Sequence, residues 1–366
     1  MSRPTVALID RSALRANMAL AQSLAPKTQI MPMVKANAYG HGMVQVAQAL
    51  SEKAPAFGVA CIEEALELRK AGIEQPILLL EGTFSKDEIE VAAKSNFWLM
   101  IENEPQKAAV LEAKLEYPIH VWLGIDTGMH RLGFPPDQVQ GIFSQLEHSS
   151  NICSTIVIAS HFACADDLGG PKTIQQQNTF KKCVASTVPD RGTDRQLSIA
   201  NSAAILAWPD AHFDWQRPGY MLYGNSPFTT AQVNADMLTP AMTFKSAVIS
   251  LRNISPGESV GYTSNWTSNR PSSIATITVG YGDGYPRHAP NGTPVLINNI
   301  RCPLVGRVSM DMITVDVTDL ESIEIGDEVT LWGPDLSVNE IAHHCDTIGY
   351  ELLTRMPSRV PRTYIN

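Results

Sequence analysis

Lys35 is the residue whose surroundings in this sequence point first to chemistry. It follows a short apolar run, residues 30–34, and precedes two glycines in the segment V-K-A-N-A-Y-G-H-G, residues 34–42. Burial lowers the pKa of an amine towards neutrality, and a neutral amine at a strand end is a usable nucleophile or base. The alternative is a lysine whose stem packs on apolar surface while its ammonium reaches solvent, the usual state of an isolated lysine.

The elements that position Lys35 follow a regular alternation. Helical patterns such as residues 62–71 and 104–115 separate eight short apolar runs, and Asp10 is placed to cap a helix over residues 11–24. The runs are residues 30–34, 57–60, 77–80, 97–101, 119–125, 156–159, 197–199 and 213–215. Eight β/α units predict an α/β fold of the TIM (β/α)8 barrel type. A doubly wound open sheet is the alternative, although no G-x-G-x-x-G follows the first strand.

Polar residues follow these runs at the ends where barrel enzymes keep their active sites. Residues far apart in sequence would therefore converge on one mouth. In order along the chain, they are Lys35 after the first run, Asp126 and Arg131 after the fifth, His161 after the sixth, Asn201 and Ser202 after the seventh, and Arg217 after the eighth.

The pattern changes from about residue 239. Dense alternation with Gly, Pro and Asn turns predicts a mostly antiparallel β domain, with strands near residues 243–251, 273–279, 293–297, 315–317 and 328–332. The linker is expected between residues 228 and 238. We therefore predict a barrel domain over residues 1–235 and a C-terminal β domain over residues 236–366.

Composition restricts the class of partner. The chain has 366 residues, 44% of them hydrophobic, a formal net charge of -9 and an isoelectric point near 5.5. No basic block is present, so we expect no nucleic-acid partner. No apolar signal region begins the sequence and no segment approaches the roughly 20 apolar residues of a membrane span, so we expect no membrane partner and a cytoplasmic protein. The six cysteines lack metal-ligand spacing, and we expect reduced thiols and no metal.

Six segments, taken together and in this order, resemble the alanine racemases. They are V-K-A-N-A-Y-G-H-G at residues 34–42, D-T-G-M-H-R-L-G-F at 126–134, I-A-N-S-A-A at 199–204, R-P-G-Y-M-L-Y-G at 217–224, V-G-Y-T at 260–263 and V-S-M-D-M at 308–312. The resemblance implies a pyridoxal 5'-phosphate enzyme that interconverts L- and D-alanine and supplies D-alanine for peptidoglycan. It implies a barrel that binds the cofactor, with Lys35 as its internal Schiff-base (aldimine) lysine.

The resemblance also assigns the other cofactor residues. Ser202 beside Asn201, Gly219 and the following Tyr220 correspond to the phosphate-binding positions, and a hydroxyl comes from the tyrosine that matches Tyr39. From the sequence alone, the alternative is that Ser202 is only a helix cap. Arg217 corresponds to the arginine that faces the pyridine nitrogen and, because a guanidinium keeps its proton, leaves that nitrogen largely unprotonated. The alternative for Arg217 is an ion pair at a strand end.

Racemisation needs a second base on the face of the carbanion opposite Lys35. The resemblance implies Tyr262, although a strand-end tyrosine with one hydrogen bond would look the same in sequence. Tyrosine has a reference pKa of about 10, so it needs help to act as a base. A histidine that matches His161, next to Arg217, is the implied helper. In the family the tyrosine enters the partner's site, which implies a homodimer with shared active sites.

The implied substrate residues surround the alanine carboxylate and the entrance. Met310, in the segment with Asp311, would cover the carboxylate from the partner chain, and Arg131 would bind it from the other side. Tyr281 would border the entrance, where an Asp-Gly turn is a sufficient alternative explanation.

Two positions depart from the family. Many members have a carbamylated lysine where this chain has Gly124, so we expect Arg131 to be held by a mobile anion or by a different carboxylate. Ser358 replaces a tyrosine near the entrance. One rival interpretation is a serine or broad-specificity racemase. A second is a decarboxylase, although that branch of the fold has a carboxylate at the ring nitrogen. A third is a non-enzyme pyridoxal-phosphate carrier, which would be a lone barrel.

Overall fold

The computed structural model describes residues 3–366. Its first half alternates strands and helices: β1 (Val6–Asp10), α1 (Arg11–Leu24), β2 (Gln29–Ile30), α2 (Lys35–Tyr39), α3 (Met43–Leu50), β3 (Phe57–Val59), α4 (Ile62–Lys70), β4 (Ile77–Leu79), α5 (Lys86–Lys94), β5 (Phe97–Ile101), α6 (Glu104–Glu112), β6 (Ile119–Gly124), α7 (Val139–Glu147), β7 (Ile152–Ala159), α8 (Lys172–Ser186), β8 (Asp194–Ser198), α9 (Ser202–Ala207) and β9 (Trp215–Gln216). Its second half is mostly strand: β10 (Met242–Ile254), β11 (Ser272–Ile277), β12 (Pro294–Ile297), β13 (Ile300–Pro303), β14 (Ile313–Asp316), β15 (Glu328–Trp332), α10 (Val338–His344), α11 (Gly349–Thr354) and β16 (Arg362–Ile365).

Strands β2 to β9 close into a barrel. β3 to β8 form one parallel sheet in sequence order, and β2 pairs in parallel with β9. On one side the N–H of Val34 donates to Gly58 O at 2.9 Å, next to the start of β3. On the other side the N–H of Asp214 donates to Leu197 O at 3.0 Å. These bonds join the pair to both edges of the sheet, so the predicted TIM barrel is confirmed and the open sheet is excluded.

The barrel interior is filled rather than open. Met31, Leu78, Trp122, Val157 and Trp215 are all buried and belong to one apolar cluster inside the ring of strands. A fully buried side chain of this size stabilises a fold by roughly 1.5–3 kcal/mol. Because side chains occupy the barrel axis, chemistry is restricted to the loops that follow the strands.

The first helix begins and ends as its sequence predicts. Asp10 is the N-cap of α1, and its carboxylate accepts the backbone N–H groups of Ser12 at 2.8 Å and Ala13 at 3.2 Å. Leu14 and Met18 lie one turn apart on the buried face. The predicted cap and the predicted range of this helix are both confirmed.

The second sheet is mostly antiparallel, as predicted, and it includes the N-terminal strand. β1 pairs antiparallel with β10 and parallel with β16, so both ends of the chain join this sheet. β10 continues past a bulge between Val248 and Ser250 to pair with β11. A division of the chain near residue 235 stays a prediction. None of the helices within residues 3–366 is long and apolar enough to cross a membrane.

Candidate active site

Lys35 begins an unusual turn at the mouth of the barrel. The next four residues, residues 36–39, have φ values of 51° to 52°, so α2 is a left-handed turn that ends at Gly40. Each such residue other than glycine costs about 1–2 kcal/mol, so neighbouring groups must hold the turn in place. The sequence did not predict this conformation, because alanine and tyrosine do not mark positive φ.

Several contacts fix the turn. The carboxylate of Glu64 accepts the N–H of Ala36 at 2.7 Å and the N–H of Ala60 at 2.8 Å, which joins the ends of two neighbouring barrel strands. Asn37 Oδ1 accepts the N–H of Met43 at 2.8 Å. From the second sheet, Arg362 Nε donates to Gly40 O at 3.0 Å. The Lys35 backbone is therefore held from the barrel and from the C-terminal strand.

The environment of Lys35 favours a neutral amine. Burial lowers its pKa, and the guanidinium of Arg131 and, less strongly, that of Arg217 lower it further. The carboxylates of Glu81 and Glu64 act in the opposite direction. The net change is downward, which increases the fraction of free amine available for attack on a carbonyl carbon.

Arg217 is buried and points at acceptors from two neighbouring strand ends. Its Nη2 donates to Ser160 O at 2.6 Å, and its Nη1 donates to the hydroxyl of Ser198. Burial lowers the pKa of Arg217 to about 10, which still leaves the guanidinium protonated at neutral pH. Within residues 3–366, Arg217 makes no ion pair with a surface carboxylate, which was the alternative from the sequence.

His161 lies beside Arg217 and is neutral. Its Nδ1 is 3.4 Å from Arg217 Nη2, and burial together with the charges of Arg217, Arg131 and Lys35 lowers its pKa to about 3. A guanidinium can only donate, so Nδ1 accepts. The proton of the neutral ring therefore lies on Nε2, which makes Nε2 a donor.

A compact hydrogen-bonded cradle follows the seventh and eighth barrel strands. The Ser202 hydroxyl accepts the N–H groups of Gly219 at 3.0 Å and Met221 at 3.2 Å. Asn201 Oδ1 caps α9 through the N–H of Ala204 at 3.1 Å. Asn201, rather than Ser202, is thus the helix cap. The Ser202 side chain instead links this loop to the loop after the eighth strand.

Tyr39 and Gly219 approach each other closely in this cradle. A methyl group added to Gly219 would lie 2.5 Å from Tyr39 Oη, a distance that no relaxed contact allows. Burial raises the pKa of Tyr39 to about 12, so its hydroxyl keeps its proton. Glycine at position 219 therefore leaves room at the Tyr39 hydroxyl.

The side chain of Tyr220 points away from the cradle. It is buried, its hydroxyl donates to Asn339 Oδ1 at 2.5 Å, and its ring stacks on Tyr350 with 3.7 Å between ring centroids. Only the backbone of Tyr220 is therefore available to a ligand in the cradle.

Arg131 stands at the open side of the mouth. It is exposed and makes no side-chain hydrogen bond or ion pair with any residue in the range 3–366. The nearby Asp126 is occupied by its own loop, because it accepts N–H groups from Gly128 and His130 and contacts the His130 ring at 2.8 Å. Asp126 therefore shapes the loop and does not bind Arg131.

The candidate residues near the second sheet lie in the loops between its strands and form an exposed surface. Tyr262 is 65% exposed, Met310 53% and Tyr281 41%. The backbone joins two of them, since Tyr281 N donates to Ser309 O at 3.0 Å beside Met310. Asp311 accepts from Arg359 Nη2 at 2.8 Å. Tyr262 lies in the exposed loop between β10 and β11, and its hydroxyl makes no hydrogen bond within residues 3–366.

Reasoning from the sequence missed three groups at the mouth. Glu64 holds the Lys35 turn, Ser198 binds Arg217, and Glu102 lies among the charges of the site. Glu102 directly follows β5, Ser198 ends β8, and Glu64 lies in the first turn of α4 after β3. A position at the C-terminal end of a barrel strand is the signal that could have found them. The alternation of the sequence does not separate such residues from ordinary helix caps.

Comparison with known proteins gives one consistent family. Residues 9–227 match the family described as "Alanine racemase, N-terminal domain", and residues 241–364 match "Alanine racemase, C-terminal domain". An alanine racemase of Chromohalobacter salexigens is 46% identical over 366 residues, covering 100% of this chain and 99% of that protein. One of Pseudomonas aeruginosa named "Alanine racemase, biosynthetic" is 48% identical, covering 99% of each. A crystal structure of biosynthetic alanine racemase from that organism has a TM-score of 0.95 at 47% identity and covers 100% of both chains.

Proposed function

The chain belongs to the alanine racemase family and is an isomerase, and we propose that it interconverts L- and D-alanine with pyridoxal 5'-phosphate held on Lys35. The observation that carries the proposal is the grouping of Lys35, His161 and Arg217 at one barrel mouth, where their charges act on one another. A lone barrel that only carries the cofactor would not need the exposed surface with Tyr262.

The residues present fit pyridoxal phosphate. Gly219 leaves open the space beside the Tyr39 hydroxyl that a Cβ would fill. Ser202, Asn201, Gly219 and the backbone of Tyr220 would hold the phosphate, and Lys35 Nζ would hold the carbonyl carbon. When bound, the cofactor supplies the electron sink that makes the Cα–H bond of an amino acid acidic.

Arg217 sets the strength of that sink. With a pKa of about 10, its guanidinium is protonated at neutral pH and can only donate. It would therefore leave the ring nitrogen without a proton. A weaker sink disfavours transamination and decarboxylation, which supports racemisation over the decarboxylase alternative.

Two bases would move the proton between the faces of Cα. Lys35, with its lowered pKa, takes or returns the proton on one face. Tyr262 of the partner subunit does so on the other, since this tyrosine is 65% exposed in the loop between β10 and β11. His161 supports that tyrosine, because its Nε2–H can donate to a phenolate oxygen while Nδ1 accepts from Arg217. The exposed surface with Tyr262, Tyr281, Met310 and Asp311 would then enter the partner's site in a homodimer.

Alanine is the favoured substrate. Arg131 is positioned at the open side of the mouth to receive the substrate carboxylate, and Met310 of the partner subunit would cover it. The word "biosynthetic" in the name of the Pseudomonas aeruginosa relative supports a role in supplying D-alanine for peptidoglycan. A serine or broad-specificity racemase is the second candidate, because Ser358 is exposed and leaves the entrance without a tyrosine.

The experiment is a circular-dichroism assay of L-alanine and L-serine, each with and without added pyridoxal phosphate. We expect the ellipticity of L-alanine to decay to zero with the cofactor present, and that of L-serine to decay much more slowly. Equal rates would favour the broad-specificity enzyme. Cofactor binding without racemisation of either amino acid would favour the carrier.

A further inference from the structure

Gly124 and Glu102 are neighbours at the mouth of the barrel. β5 ends at Ile101 and β6 ends at Gly124, and the two strands pair in parallel with Ile101 opposite Leu123. A methyl group added to Gly124 would lie 2.8 Å from Glu102 Cγ and 3.1 Å from Glu102 Oε1. The Glu102 side chain thus occupies the space that any side chain at position 124 would need.

Glu102 is anchored through its backbone, and its carboxylate remains free. Its N–H donates to Gln106 Oε1 at 2.9 Å, and Gln106 Nε2 donates to Glu81 O at 2.8 Å. The side chain is half-buried, and its oxygens make no hydrogen bond or ion pair with residues between 3 and 366. A desolvated carboxylate without a partner is unfavourable, so it is stabilised either by a nearby cation or by taking up a proton.

The loop that carries Arg131 is anchored beside this carboxylate, because the N–H of Phe134 donates to Gly124 O at 2.9 Å. Three charged groups act on the carboxylate. Burial raises the pKa of Glu102, the guanidiniums of Arg131 and Arg217 lower it, and Glu81 raises it, with a net value of about 7. Arg217 is already bound to Ser160 and Ser198. Arg131 has no such partner within residues 3–366, so it is the cation that is free to turn towards Glu102.

We propose that Glu102 is the positioning residue that orients Arg131 to receive the substrate carboxylate. Glu102 has room at this place because Gly124 has no side chain. A guanidinium is a rigid planar fork, so fixing one edge of it on an anion directs the other edge. The proposal rests on the proposed racemase function, and it replaces a mobile anion with a carboxylate of the chain itself.

The first test separates substrate binding from turnover. Glu102→Gln keeps the size of the side chain and removes its charge. We expect KM for L-alanine to rise about tenfold while kcat changes by less than about twofold. Glu104→Gln is the matched control, because Glu104 lies on the same segment but is exposed and pairs with Lys107 at 2.7 Å. The control should keep the KM of the wild-type enzyme.

A pH profile of KM and chemical rescue by a small carboxylate measure effects that a merely structural role of Glu102 would not produce. Protonation of Glu102 should raise KM as the pH falls through about 7, and Glu102→Gln should remove that dependence. In Glu102→Ala, formate should restore KM, because a small carboxylate fits the vacated space, whereas formamide should not. Gly124→Ala should raise KM by itself and add nothing to Glu102→Gln, since both act on one group.

Three outcomes would overturn the proposal. The first is a folded Glu102→Gln variant whose KM and pH profile equal those of the wild-type enzyme. A loss in kcat alone would place Glu102 in the chemistry instead. The third is an increase in wild-type kcat/KM when chloride replaces a bulky inert anion at equal ionic strength. That increase would mean that a mobile anion holds Arg131. This measurement does not require any variant to fold. If the wild-type enzyme racemises nothing, the proposed function fails first, and the two failures are distinguishable.

Discussion

The Nδ1 atom of His161 lies 3.4 Å from the Nη2 atom of Arg217, and the ring is neutral because burial and that charge both oppose its protonation. The contact fixes which nitrogen carries the proton. Nε2 therefore carries the proton and can donate it in a hydrogen bond. A histidine with a pKa of about 3 cannot itself exchange protons with substrate at neutral pH, so its role is to support another base.

Replacing Arg217 should therefore change His161 as well as the rate. In Arg217→Gln, removal of the positive charge should raise the pKa of His161 above about 3, while burial keeps it below the ordinary value. Arg217→Lys keeps the charge and should leave that pKa near its original value. Both variants should lose at least about 100-fold in kcat, because neither reproduces the planar fork. NMR titration of the imidazole measures the pKa, and an unchanged value in Arg217→Gln would contradict this account.

Lys35→Ala should abolish covalent attachment of the cofactor. The purified enzyme should absorb visible light, and borohydride should fix the cofactor to the chain. Both properties should be lost in the variant together with activity. Lys27→Ala is the control, because Lys27 is exposed and precedes the same barrel strand. Cofactor that is still trapped covalently in Lys35→Ala would show that another amine holds it.

Mixing two inactive variants should restore activity if the sites are shared. Tyr262 is 65% exposed and lies in the loop between β10 and β11, whereas Lys35 lies at the barrel mouth. A mixed dimer of Lys35→Ala with Tyr262→Phe contains one site with both native groups. We expect about a quarter of wild-type activity from random pairing, because half of the dimers are mixed and each has one intact site of two. Absence of rescue after proven subunit exchange would rule out shared sites.

The sequence predicted the barrel because strands such as β4 and β5 are continuous apolar runs, although β8 is Asp-Arg-Gln-Leu-Ser. It could not predict the left-handed turn after Lys35, since the residues that hold this turn, Glu64 and Arg362, are distant in sequence. It also could not reveal Glu102. A glutamate after an apolar run resembles a helix cap, and only packing against Gly124 distinguishes it. Long-range contacts of this kind leave no periodic signal.

Gly219→Ala should weaken cofactor binding through a steric clash with Tyr39. The added methyl group would lie 2.5 Å from Tyr39 Oη and 3.2 Å from Cζ, the ring carbon that carries this hydroxyl. We expect the Kd for pyridoxal phosphate to rise about tenfold or more, which corresponds to about 1.4 kcal/mol. Tyr39→Phe removes the hydroxyl, so the double variant should bind more tightly than Gly219→Ala alone. Additive losses would mean that the two residues do not share this space.

His41 should make the stability of the enzyme depend on pH. It is fully buried, and its Nδ1 lies 2.9 Å from Tyr39 O. A carbonyl oxygen only accepts, so Nδ1 carries the proton, and Nε2 has no partner within residues 3–366. Burial lowers the pKa of His41 to about 4, while its hydrogen bonds to Tyr39 O and Ala38 O oppose the shift. Protonation would place a second N–H where nothing accepts it.

The sign follows from the unfolded chain, in which histidine titrates at about 6.5. Between about 6.5 and 4 the unfolded state binds more protons, so the free energy of unfolding should fall as the pH falls through that range, by up to about 3 kcal/mol for this residue. His161 adds a similar dependence, so His41→Asn should reduce the slope without abolishing it. Denaturant titrations at fixed protein and cofactor concentration measure it, with His288→Asn, an exposed histidine, as the control. If His41→Asn leaves the slope unchanged, the buried ring is already satisfied in its charged form, and the turn after Lys35 is held independently of pH.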